Sequence, residues 1–370
     1  MGTDEIIPGE VVRETTDAQP AANAGGGLLK AMRAEIVAAG LHERATKRIL
    51  AQLLAHVVLT AVGTGLFFTQ TSPPLRALAL VVAVLGAMGV ASNTHTSLHG
   101  GTTDSRFLTE LLGFAGSSVL NGLSVTYWRH KHNGLHHFNP NIDGIDPDHE
   151  FTPFFALTDS QIGALSKGAR RLYRFQPVLF PLATGLLLPN MSYLGAKYSI
   201  GELRAGRGSR GLILLDLFGM ALSYVLWWGL PLFFGAPVLT VVVFNAGRMI
   251  LLSYVMFVVF APAHLPLEAA FYPQGGEPKN FLLKQTTTTL NFRAGSLAGF
   301  FISGLQFQIE HHLFPSISHV NYRRVAKIVR RKCLEAGLPY RELGWGEAIW
   351  KCVLVGAHPK PVTMDGAGAA

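Results

Sequence analysis

The stretch PVLTVVVFNAGRMILLSYVMFVVF, residues 237–260, carries a single charged side chain, Arg248. It is longer than the roughly 20 apolar residues needed to cross a bilayer. Three other runs read the same way: Ile49–Phe68, Ala77–Ser92 and Gly211–Phe234. Ala77–Ser92 is short for a span unless its helix continues toward His99. Composition agrees, since 49% of residues are hydrophobic and only 15% charged, a balance foreign to soluble domains. Two further apolar stretches are interrupted. Phe107–Val125 is rich in Gly and Ser, and Phe175–Leu194 contains Pro181, Pro189 and Asn190; both read as re-entrant or interfacial. Asp216 and Arg248, inside apolar runs, are expected to face protein or water rather than lipid.

Charge sets the orientation. The links TQTSPPLR and GAP, which join the spans in pairs, hold one basic residue between them, whereas KGARRLYR at 167–174 and RRVAKIVRRK at 323–332 are strongly basic. The positive-inside rule places the two short links outside and everything else in the cytoplasm. The expected fold is an all-α integral membrane protein with four transmembrane helices as two hairpins, a cytoplasmic helical cap and both termini inside. The net charge of +8 then reflects topology and anionic lipid, and nucleic acid is not an expected partner. The Ala-, Gly- and Arg-rich composition points to a bacterial inner membrane. Residues 1–27 are polar and small with no signal-peptide core, and read as a disordered arm. A single domain follows over 28–355, with a flexible tail at 356–370. Leu28, Leu29, Met32 and Ile36 fall at helical spacing, as in a helix lying on the membrane surface. Cys333 and Cys352 form no CxxC, so a metal must be held by other side chains.

Histidine supplies them. Seven of the 14 histidines fall in three clusters: HTSLH (His95, His99), HNGLHH (His132, His136, His137) and QIEHH (His311, His312, with Gln308). An i, i+4 pair puts two imidazoles on one helix face, able to chelate one ion. Adjacent histidines point about 100° apart, so one run can serve two ions. The expected topology brings all three clusters to one membrane face, provided that Phe175–Leu194 does not span. Imidazole suits Fe, Zn, Cu and Ni alike. The absence of HExxH argues against a zinc protease, and the absence of ExxH pairs against a soluble carboxylate-bridged di-iron bundle.

NGLSVTYWRHKHNGLHHFNPNIDGIDPD and QTTTTLNF, with ISGLQFQIEHHLFPSISHVNYRRVAKIVRRKCLEAGLPY, resemble the membrane fatty-acid desaturase superfamily, particularly its front-end and bacterial acyl-lipid or acyl-CoA branch. The likeness runs over roughly 28–345. It implies a cap holding two non-haem iron ions, and an O2-dependent reaction that takes two hydrogens from a fatty acyl chain bound to lipid, CoA or carrier protein. It also implies that His95, His99, His132, His136, His137, His311 and His312 are metal ligands, joined by His264 in PAHLPLE. Asn291 resembles a family position near the metals, and Gln308 a hydrogen-bonding group or weak ligand. Asn133 and Asp146 could fix imidazole tautomers from outside the ligand set. Box one departs from the family pattern at Thr96 and Gly100, where Asp and Ser are usual.

HPGG, the mark of a fused cytochrome b5, does not occur in the chain, so electrons are expected from a separate donor such as ferredoxin or cytochrome b5 with a reductase. A hydroxylase, ketolase or acetylenase on the same scaffold is the nearest alternative. A metal transporter or haem protein is the alternative from another class, although a transporter would need its ligands inside the spans. Outside the boxes, His56 reads as a helix-packing group, and His42, His319 and His358 as surface groups.

Overall fold

The computed structural model describes residues 24–151 and 155–363; the expected N-terminal arm before Ala24 and the tail after Thr363 lie outside them. Four helices are long and apolar enough to cross a membrane: Thr46–Thr69, Pro73–Leu98, Arg210–Phe233 and Val238–Ala263. They pair into two hairpins, each turned by a few residues. Pro73 and Pro74 start the second helix at positions where a missing N–H costs nothing. This helix does not stop at Ser92. It runs on to Leu98, carrying His95 on its last turn with His99 just beyond its end.

Small residues bring the first hairpin into backbone contact. A methyl group on Gly63 would lie 2.4 Å from the Ala83 nitrogen, and one on Gly86 would lie 2.5 Å from the Thr60 nitrogen. Small residues are what let two helices approach this closely. Gly89 leaves a notch filled by the His56 ring, whose Nε2 lies 3.1 Å from the Phe300 carbonyl oxygen. Val84, Met88, Leu252 and Met256 join the two hairpins in one core cluster. Leu54, Val58, Val62, Phe218, Val242 and Val243 are exposed on the outer surface of these helices.

The interrupted stretches are not simple spans. Phe107–Val125 starts as the helix Arg106–Gly113, widens into a π-helical turn at Phe114–Leu120 and breaks before Val125. The break is held by Asp216, whose carboxylate accepts from Ser118, Ser124 and the backbone N–H groups of Val125 and Thr126. The Phe175–Leu194 stretch becomes Gln176–Thr184 and Leu187–Arg204, two helices bent by 67°. Asp216 and Arg248 are both buried in protein, and Arg248 lies over the Trp227 ring at 4.4 Å.

Three expectations need correcting. Ala24–Ala38 is a helix, but its apolar face does not meet lipid. Met32 and Ile36 are buried against Val325, Val329 and Cys333 of Tyr322–Glu335, because that basic helix has an apolar stripe of its own to cover. The cap is not purely helical, since Asn291–Arg293 pairs in parallel with Glu342–Gly344. Order also persists beyond 356. The last helix ends at Ala357, and Lys360 then bridges to Thr158. The Lys360 ammonium donates to the carbonyls of Leu265, Pro266 and Ala269 and lies 4.1 Å from the Phe271 ring centre, so the segment is pinned.

Candidate metal centre

The histidines of all three boxes meet His264 at one end of the hairpins. Ring nitrogens of His95, His99, His132 and His311 lie within 4.8 Å of one another, and those of His136, His264 and His312 form a second group by the same measure. His137 stands between them, its ring centre 4.7 Å from those of His99 and His311 and 4.5 Å from that of His312. His95 and His99 share a group, as i, i+4 spacing predicts. His132 and His136 fall in different all-histidine groups, although both also lie within 4.8 Å of Asp148 and of one another in a third group. Their segment, Arg129–His136, is π-helical, and Asp146 takes the His136 Nδ1 at 2.9 Å. That bond fixes the His136 ring with Nε2 as its free nitrogen, in the group that contains His264 and His312. His311 and His312 fall in different groups.

The nitrogen geometry tests whether a metal fits. Nε2 of His132 is 2.9 Å from Nε2 of His95 and 3.1 Å from Nε2 of His137. A ring nitrogen has one in-plane proton or one lone pair, so it cannot hydrogen-bond both neighbours. Spacing near 3 Å is what cis ligands adopt at metal–nitrogen bonds of about 2.1 Å. Buried nitrogens without partners point the same way: Nε2 of His99, His311 and His312, and Nδ1 of His137 and His264. Burial, then the neighbouring imidazoles, hold His132, His137, His311 and His312 well below the usual histidine range. For His264 the same causes bring the value down to about 3. These rings are neutral, with lone pairs to offer, and the residues present suit a metal.

The outer contacts set ring orientation. His312 Nδ1 is 3.0 Å from Gln285 Oε1, while Gln285 Nε2 donates to the His137 carbonyl. His311 Nδ1 is 3.2 Å from the Tyr322 hydroxyl. Asp146 also accepts from the backbone N–H groups of Asn141 and Asp148. Burial would raise its pKa, but His136 and His149 more than offset this and hold it far below the usual carboxylate range. His149 is wedged between Asp143 and Asp146. Burial alone would lower its pKa; the two carboxylates raise it to about 9. Asp148 faces Lys131, His136 and His132. Asn141, at φ 58°, a backbone state that Asn tolerates, ties the carbonyls of His264, Ala270 and Thr288 together through Nδ2.

The expected outer residues divide. Asp146 contacts an imidazole directly. Asn291 does not: it bonds Glu310, Tyr340 and the Ile309 N–H, and so anchors the Gln308–Leu313 helix that carries His311 and His312. The Asn133 side-chain oxygen has no hydrogen-bond partner, so it fixes no tautomer. Gln308 lines the adjoining cavity. His319, expected at the surface, is buried; its ring joins Thr96 at 2.9 Å to Gln52 at 3.0 Å, so the departing residue of box one has a partner. His130 stacks on Tyr198, away from the cluster. Gln285, Tyr322, Asn141 and Asp148 were not singled out from the sequence. Only Asp148 carried a signal, as the second acid of DPD.

A cavity of about 910 Å³ opens beside the histidines. Its wall includes His95, His132, His136 and His264, and runs on through Phe180, Leu187, Met256 and Phe257. The lining is mostly apolar, and the volume lies in the upper part of the range for small-molecule sites.

Comparison with known proteins gives this geometry a context. The family model described as fatty acid desaturase matches residues 71–344. The chain is 27% identical over 328 residues to a Delta(8)-fatty-acid desaturase of Euglena gracilis, covering 87% of this chain and 76% of the relative. It is 27% identical to the Delta(8)-fatty-acid desaturase 2 of Arabidopsis thaliana, across 69% of this chain and 58% of that protein. An sn-1 linoleoyl-lipid 6-desaturase of Synechocystis is 27% identical, across 72% and 76% of the two chains. The chain thus spans less than two thirds of the length of the Arabidopsis protein. The chain belongs to the fatty acid desaturase family.

Proposed function

We propose that this member of the fatty acid desaturase family introduces a double bond into a fatty acyl chain, with two non-haem iron ions held by the histidine cluster. His95, His99, His132 and His311 would hold one ion and His136, His264 and His312 the other, with His137 between them. Imidazole donors alone do not select iron; the family likeness supports it. When bound, the ions would supply the oxidising power to break an unactivated C–H bond. The balance is two hydrogens from the chain, O2, two electrons and two protons, giving two waters and the alkene. A separate carrier such as ferredoxin or cytochrome b5 would deliver the electrons, and the bilayer would hold the protein with its histidine end in the cytoplasm.

The observation that carries this reading is the apolar cavity of about 910 Å³ walled by histidines of both groups. An acyl chain has nothing to hydrogen-bond, so its reacting methylenes are positioned by cavity shape alone. Phe180, Phe257 and Met256 confine it, and the same walls exclude water from the reacting carbons. Asp146, Gln285 and Tyr322 hold the imidazoles in place while the chain binds. Expression in a host lacking the activity, with lipid and thioester analysis, tests the proposal. The expected product is two hydrogens lighter than the substrate, and the purified protein should carry two irons per chain without haem absorption. Gain of one oxygen would identify a hydroxylase, and less than one iron per chain would overturn the assignment.

A further inference from the structure

The cavity is open along one side. Leu172, Leu182, Leu186 and Tyr193 line the cavity, yet they are 50%, 64%, 60% and 63% exposed. A residue can do both only where the wall is open to the outside. The opening therefore lies along the bent helix pair Gln176–Thr184 and Leu187–Arg204. Its outer neighbours Phe175 and Val178 are exposed as well. A mouth opening onto water would be rimmed by polar groups; a continuous apolar rim on a helical surface belongs against acyl chains.

A layer of cations adjoins this rim. Lys167, Arg170, Arg171 and Arg174 are exposed on and just after the short helix Lys167–Tyr173, the helix that carries the cavity-lining Leu172. Among the described residues none of the four has a carboxylate within ion-pair distance. Arg170 bonds the carbonyls of Gly163 and Leu165, and Arg174 lies over the Phe175 ring at 5.0 Å. Cations next to an apolar rim reproduce the layering of an anionic lipid, phosphate above and acyl chain below.

We infer that the substrate is an acyl chain of an anionic phospholipid still resident in the bilayer, which enters sideways past Leu182 and Leu186 while Lys167, Arg171 and Arg174 meet its phosphate. A thioester on a soluble carrier would instead need a polar entrance from water. This assignment of the carrier rests on the desaturase reading of the site, but can fail independently of it.

The test places the full-length protein in nanodiscs containing phosphatidylglycerol with a photoreactive diazirine on its acyl chain, and maps the crosslinks by peptide mass spectrometry. A diazirine-bearing acyl-CoA serves as the competitor. Crosslinks are expected within 172–193 and at Met256 or Phe257, and L186W should reduce them at least fivefold while L186A retains them. The charge reversal R171E/R174E should weaken phosphatidylglycerol labelling by on the order of tenfold and leave labelling by a diacylglycerol with the same chain unchanged. Labelling of the cavity by acyl-CoA in preference to the phospholipid would overturn the inference, as would phospholipid labelling indifferent to L186W. In expressing membranes, the new double bond should appear first in intact phosphatidylglycerol. Its appearance first in the CoA pool would refute the carrier and keep the desaturase. Iron-loaded protein that desaturates no carrier would refute the desaturase, with the crosslinks still reporting what occupies the cavity.

Discussion

Asp146 is the residue whose loss should reach furthest into the centre. It is fully buried and accepts from His136 Nδ1 at 2.9 Å, Asn141 N at 2.8 Å and Asp148 N at 2.9 Å, with His149 Nδ1 at 3.5 Å. Asp146→Ala strands these donors and leaves the His149 imidazolium with one carboxylate instead of two. Removing one partner of a buried pair costs about 3–5 kcal/mol. Asp146→Asn keeps the shape and one acceptor oxygen, so only the charge-assisted part is lost, about 1.5–3 kcal/mol. Its effect on the metal should be larger than its effect on folding. His136 Nδ1 loses its fixed acceptor, and removal of such an orienting partner typically lowers metal affinity or activity by about 10- to 100-fold. The Asp146 carboxyl titrates below the usual range. Its contribution is therefore present above the unfolded carboxylate value, is lost only as pH falls through the lower folded value, and is complete at neutral pH. Iron content per chain after dialysis against a weak chelator, measured beside the thermal midpoint in detergent at neutral pH, separates the two effects. An Asp146→Asn protein that keeps both its iron and its midpoint would refute the role given to this carboxylate.

Gln285→Leu removes the acceptor from His312 Nδ1 and the donor to the His137 carbonyl; iron retention should fall by about 10- to 100-fold, with Gln285→Glu closer to wild type at the same chelator concentration. His149 carries a folded pKa of about 9, above its unfolded value, so its stabilisation is complete below about pH 6.5 and is lost as pH rises through 9. The difference in stability between wild type and His149→Gln should shrink across that window by about 3 kcal/mol, as read from thermal midpoints of both proteins at matched pH; a difference that does not change with pH would sink the ion-pair reading. Lys360→Met keeps the aliphatic stem but leaves the carbonyls of Leu265, Pro266 and Ala269 without their donor. A cost of about 1–3 kcal/mol and faster proteolysis after Ala357 are expected, and unchanged proteolysis would count against the anchor.

The sequence reveals a feature when one local pattern dictates it. Apolar length exposed the four long apolar helices, and the link GAP marked a tight turn between two of them, because a long apolar run satisfies its backbone most simply as one helix. The histidine boxes were legible for a similar reason, since their members are four residues apart or adjacent. His132 and His136 show where local reading stops. Spacing of i, i+4 predicts one shared ion, but the segment is π-helical and Asp146 holds one ring from outside, so the two fall in different all-histidine groups and come together only around Asp148. Gln285 and Tyr322 left no signal. Each reaches a histidine from a different cap helix, and a lone polar residue in a helical pattern looks like any exposed one until its neighbour is known.

The burial of His319 and the position of Asn291 follow from the same logic. Both lie in the cap, where short segments cross one another, and their partners Thr96, Gln52, Glu310 and Tyr340 are far away in sequence. Asn291 reaches the histidines only through the helix it holds: it accepts from the Ile309 N–H and donates to Glu310, the two residues just before His311. That arrangement ties the strand Asn291–Arg293 to the helix Gln308–Leu313. A displacement of one would therefore shift His311 and His312 together, and with them one member of each nitrogen group. Asn291 thus ties members of both nitrogen groups while touching neither ring.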